Sequence, residues 1–507
     1  MPLPPRWYQV PAFCSLAVKS IHGANIDMMI VLDRRLCLTR IFPFRIGLVV
    51  SMLTTGAFFG AALAGPTGDY LGRRWTIAIG SLIFCLGGGL QTGAQNISYL
   101  YTGRFFAGFA CTVPNIVFTN RAGILTMIVP PYQAELCHPD IRGRVTSLQQ
   151  FMLGVGALCA SWISYGTYIG FSPSDSAQWR VSLGIQIIPA VILGSLIMIF
   201  PESPRWLIDN GREAEGLKVL ARLHSHGDEN DSWVRAEFSL IQESITFEHE
   251  NEAKSYVELF TSRSAFRRLF LCCALQASIQ MTGVSAIQYY SVEIFNQIGI
   301  SGDQTLRYQA INSVIALLGE FSCMMLIDRF GRRWPLIMGN QANMVTFIIA
   351  CILLALYPPE ANNSGAHWGF IIMTWLYNFS FSATCGPLSW IIPAEVFDTR
   401  TRAKGVSIAT MTSFAFNTMI GQVTPIAMQN VRYRYWVVFI ICNFTNALFF
   451  WLLMPETSKL PLEEMNSLFT NAPWIVVGLK KEDYVSHLER RLEEVEGKIE
   501  SNAAHYE

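Results

Sequence analysis

Nine stretches of twenty or more residues contain no charged side chain: 46–65, 75–94, 146–169, 181–200, 269–291, 335–357, 369–393, 405–428 and 435–454. A tenth, 308–327, carries one acid, Glu320. Crossing about 30 Å of hydrocarbon takes roughly 20 helical residues, and a helix bonds its backbone groups within itself. The stretches are rich in Gly, Ser, Thr and Pro, the residues that let membrane helices approach closely. They predict an all-α membrane protein, not a membrane barrel. Charge is segregated to match: 22 of the 74 charged residues lie in 202–268 and 17 in 456–507, leaving 35 for the other 388 positions. With 51% apolar and 15% charged residues, too little charge remains to solvate a globular exterior.

The same composition excludes other classes. A zero net charge lacks the basic excess that tracking nucleic-acid phosphates requires. The 12 cysteines fall within apolar runs (Cys85, Cys159, Cys272, Cys273, Cys351, Cys442) without metal-ligand or disulfide-framework spacing, and read as small buried hydrophobes. No nucleophile with a base, no glycine-rich phosphate loop and no metal cluster is present, so the expectation is a transporter, not an enzyme, with no cofactor and no metal. His224 and His226 lack other nearby ligands.

Two regions break the pattern. Before Arg40 the longest charge-free stretch, 7–18, is too short to span, and nothing there has the layout of a cleaved signal peptide. Between Gly108 and Gly123 an apolar run is interrupted by Pro114, Asn115, Asn120 and Arg121, as if one helix had received an insertion.

Internal repetition gives the organisation. The segment 68–74, Gly-Asp-Tyr-Leu-Gly-Arg-Arg, returns as Asp-Arg-Phe-Gly-Arg-Arg at 328–333, an offset of 259 between Asp69 and Asp328. Glu135 with Arg142 returns as Glu395 with Arg402, an offset of 260, and Pro201-Glu202-Ser203 returns as Pro455-Glu456-Thr457, an offset of 254. Two related halves joined by the charged segment follow. The Gly-Arg-Arg turns are tight connections in which Arg73, Arg74, Arg332 and Arg333 hold the cytosolic side under the positive-inside bias. Asp69 and Asp328 sit at helix ends where neighbouring arginines can reach them. Seven residues separate Glu135 from Arg142 and Glu395 from Arg402, too far for a pair within one helix, so pairing between helices is expected.

These motifs, with Gly103-Arg104, Trp179-Arg180, Gly283, Tyr289-Tyr290 and Gly386-Pro-Leu-Ser-Trp390, resemble the sugar porters of the major facilitator superfamily, and its fungal members in particular. The resemblance covers about residues 46–465. It implies a major facilitator fold of two six-helix bundles that carries a sugar by alternating access, with charged motifs (Arg104 among them) latching the cytosolic side. The division expected is an irregular N-terminus 1–45, an N-terminal bundle 46–200, a cytosolic linker 201–268, a C-terminal bundle 269–454 and a cytosolic tail 455–507. The chain departs from the family in two places. The family's first helix is missing or damaged, and the fourth is interrupted by 111–121, whose removal restores a continuous run. Retained intron sequence and a damaged first exon explain both, and sequencing the transcript tests this.

A polyol needs neutral donors and acceptors in a mostly apolar cavity, with a flat aromatic for its C–H face. Matching to the family places Gln150, Gln280, Ser285, Tyr289, Gly386, Trp390, Ser413 and Asn417 at the sugar. Gly386-Pro387 is expected to loosen the tenth helix as a gate. Many members have a Gln-Gln pair and an asparagine where this chain has Ile279-Gln280 and Ser285, which leaves the sugar open. Proton symport needs a carboxylate that protonates within the membrane; Glu320 is the acid well inside a span and the candidate, with a structural ion pair as its competing role.

In the linker, Ser203-Pro204 reads as a helix start. In the tail, Leu488, Leu492, Val495 and Ile499 form one amphipathic helical face. Asn96-Ile-Ser98 and Asn362-Asn-Ser364 satisfy the N-glycosylation sequon in expected outer loops. The partners expected are a small sugar, protons and the lipid membrane. A monomer in the plasma membrane is expected, with both termini cytosolic once a first helix is restored. The alternatives are a non-transporting sugar sensor, disfavoured by a 52-residue tail, and a porter of a polyol acid such as quinate, for which a basic cavity residue is needed.

Overall fold

The computed structural model describes residues 41–110, 132, 135–136, 139–172, 175–225, 227–251, 256–296, 302–357, 363–397, 401–457, 468–469 and 473–477. Among the described residues there are helices and no strands. Residues 1–40 of the expected irregular N-terminus, residues 111–121, His226 and the amphipathic tail lie outside them, whereas residues 41–45, expected as irregular, begin a helix. The side chains of Asp69, Arg142, Gln150 and Asp328 also lie outside the described residues.

The first half comprises α1 (Ile41–Leu71), α2 (Arg73–Thr92), α3 (Ile97–Ala110), α4 (Pro139–Gly170), α5 (Ala177–Gly184) and α6 (Ile187–Leu196). Short helices follow in the charged segment: α7 (Pro204–Asp209), α8 (Glu213–His224), α9 (Ser232–Asn251) and α10 (Glu258–Thr261). The second half comprises α11 (Arg263–Met281), α12 (Val284–Asn296), α13 (Gly302–Phe330), α14 (Arg333–Leu356), α15 (Ser364–Ala383), α16 (Cys385–Val396), α17 (Arg402–Val431) and α18 (Tyr435–Leu453). Six helical stretches are long and apolar enough to cross a bilayer: Phe44–Leu63, Arg73–Thr92, Ala177–Leu196, Arg263–Ser291, Arg333–Leu356 and Tyr435–Leu453. In α4, α13, α15 and α17 the length to cross is also present, from 20 to 32 residues.

Glycine sets the spacing in the first half. A Cβ on Gly108 would lie 1.9 Å from the Leu53 carbonyl oxygen, and one on Gly56 would lie 2.2 Å from that of Phe105, so α1 and α3 meet backbone to backbone. The halves meet along two helix pairs, α1 against α17 and α4 against α13. On the first seam Thr418 donates to Thr54 at 2.7 Å, Ser51 to Gln422 at 3.0 Å and Ser407 to the Ala61 carbonyl at 3.3 Å.

Two spans expected as continuous are broken. The stretch 269–291 divides between α11 and α12 because Gly283 takes φ +97°, where its missing Cβ also spares the rings of Phe347 and Phe439. The carbonyl freed at Thr282 accepts from Tyr377 Oη at 3.2 Å and Asn443 Nδ2 at 3.1 Å, so no buried acceptor is lost. The stretch 369–393 divides at Thr384 (φ −132°, ψ −82°). This corrects the expectation that Pro387 loosens a running helix: it stands in the first turn of α16, where its absent N–H has no helical partner to lose.

The linker begins as the sequence indicates, with Ser203 accepting from Trp206 N at 3.2 Å and Pro204 in the first turn. His224 Nδ1 lies 2.8 Å from Glu237 Oε2 and ties α8 to α9. At its far end α11 starts at Arg263, so the buried Arg267 and Arg268, counted with the linker above, belong to the helix. Arg267 donates to the Pro473 carbonyl at 2.7 Å and lies over Phe469 and Trp474, while Arg268 lies over Phe469. Val476 N donates to the Leu452 carbonyl at 2.8 Å. The segment after the last span is thereby strapped to the start of α11 and the end of α18.

Candidate functional site

Five of the sequence-derived residues form one hydrogen-bonded set where α11 breaks into α12 beside α17. Tyr289 Oη donates to Asn417 Oδ1 at 2.9 Å. Asn417 Nδ2 donates to Gln280 Oε1 at 2.9 Å and to Ser285 Oγ at 3.0 Å. Ser285 Oγ donates to Gln280 Oε1 at 2.8 Å, and Gln280 Nε2 to Ser413 Oγ at 3.0 Å. The break brings this about: Gln280 is in the last turn of α11, and Ser285 and Tyr289 lie one turn apart on α12. Ser413 and Asn417 share a face of α17. Every member is neutral and carries both donor and acceptor capacity.

Trp390 and Gly386 lie on α16. Trp390 is half-buried against the cluster of Ala57 and Ala61 of α1 and Phe414 of α17, on the seam between the halves. A Cβ on Gly386 would come within 3.3 Å of the Phe381 ring. The preceding Ser389 carbonyl accepts from Gln276 Nε2 at 2.9 Å, one turn before Gln280, which ties α16 to the hydrogen-bonded set.

At the Gly-Arg-Arg turns the two halves repeat each other in detail. Glu202 accepts from the backbone N–H groups of Arg73 and Arg74 at 3.0 and 3.1 Å, and Glu456 from those of Arg332 and Arg333 at 2.9 and 3.1 Å. Each carboxylate thus caps the positive end of a spanning helix. Gly72 (φ +87°) and Gly331 (φ +77°) make room, since a Cβ there would lie 2.7 and 2.6 Å from the capping oxygen. Arg73 Nε lies 3.4 Å from Glu135 Oε2, and Arg332 Nη2 lies 3.0 Å from Glu395 Oε1. Ser203 donates to Glu135 at 2.5 Å and Thr457 to Glu395 at 3.3 Å. Arg74 and Arg333 donate to the carbonyls of Met198 and Trp451.

Arg402 Nε donates to the Phe397 carbonyl at 3.3 Å. Arg104 lies buried within α3 and donates to the Val49 carbonyl of α1 at 3.4 Å. Glu320 lies on α13 against Gly154 of α4, at the second seam. Sequence reasoning missed the capping role of Glu202 and Glu456. Their signal was present in the repeated Pro-Glu-Ser and Pro-Glu-Thr, but their partners are backbone amides, which no side-chain pattern displays.

The family model described as sugar (and other) transporter matches residues 42–469. The chain belongs to this transporter family. Among relatives of this transporter, the MFS-type transporter criB of Aspergillus cristatus is 32% identical over 425 residues, 84% of each chain. The MFS glucose transporter mfs1 of Aspergillus flavus is 30% identical, covering 91% of this chain and 88% of its own. The quinate permease of Emericella nidulans is 30% identical, covering 84% and 80%. Among solved structures, the xylose transporter XylE from E. coli in a partially occluded inward-open conformation matches with TM-score 0.71 at 20% identity, over 89% of this chain and 97% of that one. The transporter therefore has the major facilitator fold and is an integral membrane protein, not an enzyme.

Proposed function

We propose that this transporter carries a neutral polyol, a mono- or disaccharide, across the plasma membrane by alternating access, as a monomer and in symport with protons. The observation that carries the substrate class is the closed set of neutral hydrogen bonds linking Gln280, Ser285, Tyr289, Ser413 and Asn417. A sugar hydroxyl both donates and accepts, so it replaces each of these bonds in kind and leaves no buried polar atom unmet. Gln150, at the sequence position expected to face the sugar from the first half, and Trp390 complete the proposed binding residues. Two rocking bodies, 46–200 and 269–454, turn about this region, and the duplicated cytosolic turns hold each body's helix ends together during the motion.

Relatives named quinate permease make a polyol acid the second reading. A carboxylate substrate requires a cation, and the hydrogen-bonded set contains none. The test is uptake of labelled glucose, xylose, arabinose and lactose in yeast lacking its own hexose carriers, with unlabelled quinate as competitor. The full chain is compared with a form lacking residues 111–121. Saturable uptake of at least one sugar, insensitive to quinate, is expected. Protein at the cell surface that moves quinate and no sugar overturns the reading.

A further inference from the structure

We propose that Glu320 is the residue that binds the co-transported proton, at the seam where α4 of the first half meets α13 of the second. The inference rests on the sugar-porter reading above and names the site of its coupling. Glu320 precedes Asp328 by eight residues, which sets it about 12 Å along the helix from that cytosolic end. Its carboxyl lies on bare backbone: a Cβ on Gly154 would be 2.0 Å from Glu320 Oε2 and 3.0 Å from its Cδ. Only glycine at 154 lets the carboxyl into the seam.

Position ties this carboxyl to the sugar. Gly154 follows Gln150 by four residues, so the two share a face of α4 one turn apart. The group therefore borders the proposed sugar position from the first half while belonging to the second, and the rocking of the halves changes its surroundings directly.

Among the described residues Glu320 makes no salt bridge. Oε2 has no hydrogen-bond partner among the described residues. From Val145 to Gly170, α4 contains no Asp, Glu, Lys, Arg or His. On α15, which also packs against α13, His367 stands near the outer start and Tyr377 donates to Thr282. On α14 the cation is Arg333 at the cytosolic end, and on α12 the acid is Glu293, whose side chain lies outside the described residues. On α13 itself Arg307 and Arg329 stand near the two ends, and the Cys323 thiol, one turn on, lies within electrostatic reach of both Glu320 and Arg332, whose guanidinium is paired with Glu395. A lone ionised carboxylate is costly in hydrocarbon, so closing the seam around it with no ion pair among the described residues favours carrying a proton over carrying a bare charge.

The step balances simply. One proton from the external water forms an O–H bond with a Glu320 carboxylate oxygen while the outer path is open. The same bond breaks when α4 and α13 part toward the cytosol, and water there accepts the proton. The sugar crosses in the same cycle, and no oxidant or co-reactant is needed.

Purified full-length protein in liposomes separates the outcomes. Sugar counterflow at equal pH reports exchange, and accumulation driven by an inward proton gradient reports coupling. Wild type is expected to do both, and Glu320→Gln is expected to keep counterflow within about threefold while accumulation falls at least tenfold. Accumulation by Glu320→Gln, or wild-type counterflow without accumulation, overturns this assignment and leaves the sugar reading standing. Loss of counterflow in folded Glu320→Gln also overturns it, since a group serving the proton alone is dispensable for exchange. No counterflow of any sugar by wild type sinks the sugar reading and this one with it. If Glu320→Gln is not recovered folded, Glu320→Asp decides: the retained carboxyl, drawn back from Gly154, should accumulate sugar with a shifted pH profile, and an unchanged profile overturns the proposal.

Discussion

The two halves are alike at their Gly-Arg-Arg turns and unlike in their interiors. At the turns, a glycine with positive φ, a capping glutamate and an arginine–glutamate pair recur with the same geometry. Inside, Gly56, Gly87 and Gly108 bring α3 into backbone contact with α1 and α2, whereas the second half, with such a contact at Gly319, adds amides and hydroxyls around two broken helices. Backbone contact leaves little freedom to slide. Side-chain hydrogen bonds around a break can be exchanged for others of equal strength. The contrast assigns the first half the part of a rigid wall and the second the part that grips and releases.

The largest expected effect tests the wall. Gly108→Val forces α1 and α3 apart and should lower stability by about 3 kcal/mol or more, read as loss of monodisperse protein and a lower melting temperature in detergent. Gly89→Ala is the control, because a Cβ there meets nothing within 4 Å and should leave the melting temperature in place. A Gly108→Val protein as stable as wild type would break the rigid-wall account.

In the gripping half, Asn417→Ala removes the side chain that joins Tyr289, Ser285 and Gln280. Losing about 2 kcal/mol of buried hydrogen bonding should raise the half-saturating sugar concentration roughly 30-fold, measured by initial uptake rates at matched surface expression. At the turns, Glu202→Gln and Glu456→Gln each weaken a helix cap by about 1 kcal/mol and should slow uptake by similar factors. Rates differing more than about threefold between the two would show that the repeated turns are not mechanically equivalent. The smallest effect belongs to the α11–α12 break: Tyr377→Phe leaves Asn443 still bonded to the Thr282 carbonyl and should change uptake by less than about fivefold.

Much of this organisation was legible because it depends on composition and repetition. Charge-free stretches mark helices without reference to partners, and a common offset marks the halves. The five-residue cluster around Gln280 came from matching to family positions, and the structure brings those five together. The breaks at Gly283 and Thr384 were not legible, since a glycine or threonine in an apolar run specifies no dihedral angle until rings such as Phe347 and Phe439 crowd it.

The strap formed by Phe469, Pro473, Trp474 and Val476 also orders events during synthesis. These residues leave the ribosome after every spanning helix described here, yet they hold the first turns of α11, made some two hundred residues earlier. The second half is therefore completed from its last-made end. A chain stopped at residue 467 carries all those helices but lacks the aromatic cover for Arg267 and Arg268, and expressing it beside the full chain measures how far membrane quality control waits for that final contact.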